Sequence, residues 1–137
     1  MAQVGAKHGP FDCILCLDVL EHLVDPWRVV GALHGQLAPG GVIVASIPNV
    51  QHHSVVRALM TGGWRYDPEG GLLDETHLRF FTRSTAIELM TSSGLRLDAV
   101  DWTGLGPGGK SGLIDRMTFG TLRGFLVYQY LIRVKRS

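Results

Sequence analysis

Charge is scarce in this chain, and what there is nearly cancels. Charged residues make up 18% of the 137 residues and the net charge is +1. A field that weak does not draw a protein to nucleic acid or to an anionic membrane, and Arg133, Lys135 and Arg136 form only a small basic end. Long apolar runs are missing as well. None reaches the roughly 20 residues of a membrane span, and MAQVGAKHGPFD lacks the charged-then-apolar order of a secretory signal. The expectation is a cytoplasmic protein without nucleic-acid or membrane partners. Cysteine is limited to Cys13 and Cys16, so no second pair completes a zinc site. Their C-x-x-C sits in FDCILCLDV, which reads as a buried strand, and the expectation is two buried, inert thiols. Internal repeats and linkers are absent too, and the length suits a single domain over 1–137.

What is present is apolar periodicity, with 45% hydrophobic residues. A strand is predicted over Phe11–Leu17. A helix follows, with Asp25 as N-cap, Pro26 as first residue and Val29, Val30, Leu33 and Leu37 on one face, ended by the Pro39-Gly40-Gly41 turn. GVIVASIPN is a second buried strand that stops at Pro48. Gln51 to Met60 can form a short helix. The polar and aromatic stretch WRYDPEGGLLDETHLRFF is too long for a simple connector, which marks a functional loop. Thr82 caps a third helix with Ala86, Ile87, Leu89 and Met90 on one face and Gly94 as its stop. Leu95 to Trp102 alternates as a half-buried strand should, a helical turn is expected near Ile114 to Phe119, and FLVYQYLIRVKR is the last strand. The alternation implies an α/β fold whose sheet is mostly parallel, with a last strand that can insert antiparallel.

Two ordered segments carry a resemblance. FDCILCLDVLEHLVDPWRVVGALHGQLAPGGVIVASIPN resembles the later half of class I S-adenosylmethionine-dependent methyltransferases, the small-molecule type with D-V-L-E-H-L after the fourth strand. THLRFFTRSTAIELMTSSG is similar to that family's H-L-R-F-F-T run and following helix, and VYQYLIRVKR to its antiparallel seventh strand. The resemblance implies a partial Rossmann-like sheet covering the fourth strand to the C-terminus. It also implies methyl transfer from S-adenosylmethionine to a small-molecule acceptor, with a sugar or cell-envelope precursor as the expected class. The family binds its cofactor mainly through a glycine turn after the first strand and an acid after the second, and this chain has neither. Leu17 and Asp18 match family positions that touch the methionine portion, so weak or no cofactor binding by this chain alone is expected. A sheet lacking those strands leaves a buried-type strand edge open, so a homodimer or a partner chain is expected to cover it.

Methyl transfer needs nucleophile, methyl and sulfur held in line, and a base only where the nucleophile has a proton to lose. His22 is the first candidate base, with Glu21 to orient it and His77 to close over the site. Asn49, Trp64, Tyr66 and Arg79 are candidate acceptor contacts. Each has a plainer reading as helix-entry or loop-packing residue. Asp18, Glu21 and His22 also form a D-x-x-E-H cluster similar to the metal ligands of ubiquinone-biosynthesis and small-RNA 2′-O-methyltransferases. Many relatives with this segment work without metal, so no metal is assigned, and those three residues stand as the alternative ligand set for magnesium, manganese or zinc.

Residues 104–111, GLGPGGKS, satisfy the phosphate-loop pattern G-x-x-x-x-G-K-[ST]. The glycines after Ser111 argue against the helix such a loop requires, so 104–112 is expected to be a flexible glycine-rich turn. A phosphate-loop nucleotide-binding protein and a non-catalytic remnant serving as an interaction module are the two alternative functions.

Overall fold

Four strands form one sheet in the order β1-β2-β4-β3 in the computed structural model, which describes residues 9–105 and 110–137. β1 (Phe11–Leu17) pairs parallel with β2 (Leu37–Pro48). β4 (Gln129–Lys135) inserts antiparallel between β2 and β3 (Arg96–Thr103). The expected α/β sheet with an antiparallel last strand is therefore what forms. The fourth strand is shorter than the run FLVYQYLIRVKR predicted, because Arg123–Leu126 makes a helical turn first.

Local signals act where they were expected. Helix α1 (Pro26–His34) starts with the Asp25 carboxylate accepting from the Arg28 amide at 3.0 Å. Helix α2 spans His53–Met60. Helix α3 (Arg83–Thr91) carries a capping box in which the side chains of Thr82 and Thr85 each bond the other residue's backbone. Gly94, at φ +88°, then supplies the left-handed turn that a residue with a Cβ resists. Two expectations fail for a common reason. Leu37 lies in β2 and not on the helix, and Pro39-Gly40-Gly41 does not break the chain. Those residues are absorbed as an irregularity in the β1–β2 register, where Phe11 faces Leu37 but Cys13 faces Val42.

Helices α1 and α3 cover one face of the sheet. Val30, Ala86, Leu89 and Met90 pack there on Ile43, Ala45, Ile47, Tyr130, Ile132 and Val134. The other face carries Cys13, Leu15 and Leu17 opposite Val42, Val44 and Ser46. Leu15 is 61% exposed and Leu17 51% exposed. The cysteines follow the same alternation, so the expectation of two buried thiols is half wrong. Cys16 is buried in the core and Cys13 is exposed, because residues three apart on a strand point to opposite faces.

The glycine pattern at 104–111 divides. Residues 106–109 of the expected flexible loop lie outside the described residues. Helix α4 (Lys110–Met117) begins at the pattern's lysine, against the expectation that glycines would prevent it, with Gly112 buried. A short α5 (Arg123–Leu126) follows. Gly104 has its own reason to be glycine: φ is +83° and a Cβ would lie 2.6 Å from the Tyr128 Cβ. No helix among the described residues is long and apolar enough to cross a membrane.

Candidate functional site

The two motif segments meet at the carboxyl end of β1. The chain turns there at Asp18, whose φ of 52° is left-handed, a conformation that Asp tolerates better than most residues. The Asp18 amide donates to Ser46 Oγ at 2.8 Å, and that hydroxyl donates back to the Asp18 carboxylate at 3.1 Å. Gln129 Nε2 donates to the same carboxylate. Asp18 thus fixes the exit from the sheet. A 3-10 turn, Leu20–His22, follows. The loop from residue 61 to 82 clamps it: the amides of Leu78 and Arg79 donate to the Glu21 carbonyl at 2.9 and 3.0 Å. The Arg79 guanidinium donates to the carbonyl of Val24. Arg79 is therefore a strap across the turn.

That clamp sets two imidazoles against one carboxylate. His22 Nδ1 lies 3.2 Å from the Thr76 carbonyl and 3.0 Å from Thr76 Oγ1. A carbonyl only accepts, so Nδ1 carries the hydrogen and Nε2 keeps its lone pair. Thr76 supports that tautomer. Its hydroxyl donates to Asp74 at 2.6 Å and its amide does so at 2.7 Å, leaving the hydroxyl oxygen to accept from His22. Those two bonds hold the Asp74 carboxyl below the usual range, so it stays an acceptor. His77, 7% exposed, gives its Nδ1 hydrogen to the Leu72 carbonyl at 3.3 Å, and its Nε2 is likewise the free nitrogen. The rings meet edge to face with centroids 4.7 Å apart. A nitrogen of each ring and a Glu21 oxygen all lie within 4.8 Å of one another.

Glu21 is 1% exposed, and neither of its carboxylate oxygens has a hydrogen-bond partner among the described residues. Burial is the largest influence on its carboxyl and pushes the pKa up, with Asp18 adding to the rise and the nearby amide of Glu21 itself and His22 opposing it. An unpaired buried carboxylate costs about 1–3 kcal/mol or more, so the sequence keeps it against a gradient of stability. One carboxylate and two imidazoles, each with its Nδ1 held by a carbonyl, are donor types that a transition-metal site uses. The structure thereby changes the alternative ligand set. His77 joins Glu21 and His22, while Asp18 is engaged with Ser46 and Gln129.

A cavity of about 340 Å³ opens beside this cluster, lined by Glu21, His22 and His77 together with Asp18, Tyr128 and Gln129. Trp64, Tyr66 and Phe80 form an aromatic group next to it, with Trp64 5.1 Å from Phe80 and Phe80 6.2 Å from His77 between ring centroids. Trp64 and Tyr66 are exposed and so available to an acceptor. Asn49 is not. It is 0% exposed, with Nδ2 donating to the carbonyls of Gly124 and Val127 at 2.8 and 2.7 Å and Oδ1 accepting from the Gln51 amide at 3.1 Å. Both amide hydrogens are used, so Asn49 braces the loops in place of the substrate contact expected.

Reading the sequence missed Thr76 and Asp74. The signal available was Asp-x-Thr, in which the carboxylate turns back on the amide two residues on. Thr76→Val removes the hydroxyl that holds His22 and is expected to lower metal affinity about tenfold, the scale of outer-shell losses, with little change in melting temperature. Zinc titration by calorimetry checks it.

A family model described as a methyltransferase domain matches residues 2–100. A ubiquinone biosynthesis O-methyltransferase of Cereibacter sphaeroides is 33% identical over 107 residues, which are 75% of this chain and 40% of that protein. The chain thus spans about two fifths of that curated relative. Among solved structures, an S-adenosylmethionine-dependent methyltransferase of Thermotoga maritima superposes with a TM-score of 0.60 at 15% identity, over 93% of this chain and 56% of that one. Magnesium protoporphyrin IX methyltransferase of Synechocystis, solved with S-adenosylhomocysteine, gives 0.58 at 12% identity, over 98% and 48%. At those identities the superpositions establish the fold, and the family model establishes the kinship: the chain belongs to the methyltransferase-domain family, of the class I S-adenosylmethionine-dependent type.

Proposed function

We propose that this chain forms the acceptor side of an O-methyltransferase in which Glu21, His22 and His77 hold a divalent cation beside the hydroxyl to be methylated. The observation that carries this is the pair of buried Glu21 oxygens, without partners among the described residues, close to two histidines whose Nδ1 atoms are held by carbonyls. A bound cation lowers the pKa of a coordinated hydroxyl, which is what an oxygen nucleophile requires. Without a cation, the same His22 Nε2 lone pair is the one that takes that proton, so ligand and base are alternative roles for this histidine. The aromatic group of Trp64, Tyr66 and Phe80 supports a flat, apolar acceptor. The ubiquinone-biosynthesis name of the relative supports the same class over the sugar or cell-envelope precursor expected at first.

The cofactor supplies an electrophilic methyl group. In this chain its contacts are confined to the open end of β1, where half-exposed Leu17 and the fixed turn at Asp18 fit one edge of it. The face of Cys13, Leu15 and Leu17 beside the open β1 edge supports a second docking surface. A parallel strand is ordinarily buried on both faces. The matched relative is also longer than this chain. The occupant we infer is a strand-and-helix unit of cofactor-binding polypeptide, with a second copy of this chain as the competing outcome. The kinship favours the enzyme reading over a non-catalytic interaction module.

Calorimetry on the 137-residue chain tests the reading. Zinc or manganese is expected to bind at one site with micromolar or tighter affinity, and S-adenosylmethionine weakly or not at all. Absence of any saturable metal heat would sink the cation assignment. Tight cofactor binding would overturn the division of labour between this chain and its covering unit.

A further inference from the structure

We propose that a second cavity, apart from the Glu21 cluster, is a binding site for a small oxyanion, a carboxylate or a phosphate ester. It encloses about 300 Å³ where the end of β3 meets the start of β4, and is lined by Arg83, Arg123, Tyr130, Trp102 and Gln51 with the backbone of two glycines. Gln129 lines the first cavity and Tyr130 lines this one. The two cavities share no lining residue.

The lining is cationic and carries donors. No carboxylate lines the cavity. Arg123 gives Nε and Nη2 to Asp115, at 3.1 and 2.9 Å, which leaves Nη1 over. Its guanidinium lies 4.9 Å from the centre of the Trp102 ring, which holds it in place. Arg83, in the first turn of α3, has no acidic partner among the described residues. Two guanidinium groups against one carboxylate leave one positive charge uncompensated. Tyr130 is 2% exposed and lines the cavity. Burial raises its pKa, against the pull of Arg83 and Arg123, so the hydroxyl keeps its hydrogen. An oxyanion here would take charge-assisted bonds from Arg83 and Arg123 and neutral ones from Tyr130 and Gln51.

The test is a nuclear magnetic resonance titration of the 137-residue chain, following the Trp102 indole N–H and the Thr76 amide. The probes are inorganic phosphate and benzoate, with chloride at matched ionic strength as control. Saturable movement of Trp102 with an oxyanion, and none with chloride, is expected, while Thr76 stays still. Arg83→Gln, at an exposed position, should weaken binding about tenfold, and Tyr130→Phe, which keeps the core volume, severalfold. The tighter probe assigns the ligand as phosphate ester or carboxylate. Equal response to chloride, movement of Thr76 in place of Trp102, or unchanged affinity in Arg83→Gln would overturn the proposal.

Discussion

Glu21→Gln is expected to abolish divalent-cation binding and, without metal, to make the chain more stable at neutral pH. The affinity loss should exceed about a hundredfold, since loss of a supporting partner alone costs about 10–100-fold. The stability gain follows from burial. Glu21 has a raised pKa and no hydrogen bond to either oxygen among the described residues. An acid whose folded pKa is raised contributes least above that pKa: the unfolded chain ionises first, and stability falls as pH rises from the ordinary carboxyl range through the raised one. Glutamine does not ionise, so its advantage should vanish near pH ~4 and grow toward neutrality to about 1–3 kcal/mol, a few degrees in melting temperature. Adding zinc should reverse the order, because only the parent chain gains binding energy. Thermal melts at two pH values with and without zinc check both parts. Equal melting temperatures and equal zinc responses would show that Glu21 is neither strained nor a ligand.

Phe81→Ala is expected to unfold the chain at physiological temperature or bring it close to doing so. The Phe81 side chain is 4% exposed in the main core, and its ring lies 6.3 Å from that of Trp27 on α1. Its carbonyl accepts from the Val50 amide at 2.9 Å, so one residue ties the long loop to the end of β2. Truncating a buried phenylalanine costs about 3–5 kcal/mol, a large share of the roughly 5–15 kcal/mol that holds an ordinary domain. The loss should also reach the site, because Arg79 and Leu78, just before Phe81, clamp Glu21. Phe81→Leu, which keeps most of the volume, should fold and bind zinc within about threefold of the parent. Urea unfolding compares the three proteins. If Phe81→Ala matched the parent midpoint, the loop would not be anchored as described.

Elements set by neighbours along the chain are legible in the sequence itself. Asp25 and Thr82 cap the helices predicted for them, because a cap is a contact over three residues. Strand β1 has the bounds that its apolar run implies. The candidate site is legible only in part. Glu21, His22 and His77 are each recognisable by residue type, but the bond from His22 to Thr76 spans 54 positions and no local pattern encodes it. Asn49 misleads because an amide beside a strand end serves equally well as brace or substrate contact. Pro39-Gly40-Gly41 misleads because residues that end a helix elsewhere can sit in an irregular register when β1 pairs with β2 before and after them. GLGPGGKS misleads in both directions: a helix does start at Lys110, yet Gly104 is explained by its packing on Tyr128.

The opposed cysteines give the chain an internal gauge. Cys13 is exposed beside Leu15 on the bare side of β1, while Cys16 is sealed in the core. A maleimide or iodoacetamide pulse would mark the first and spare the second, so the ratio of the two labels separates an unfolded chain from a folded one. Shielding of Cys13 alone would report that another polypeptide had come to rest on that side, and its mass in the sedimenting species would tell a second copy from a different chain.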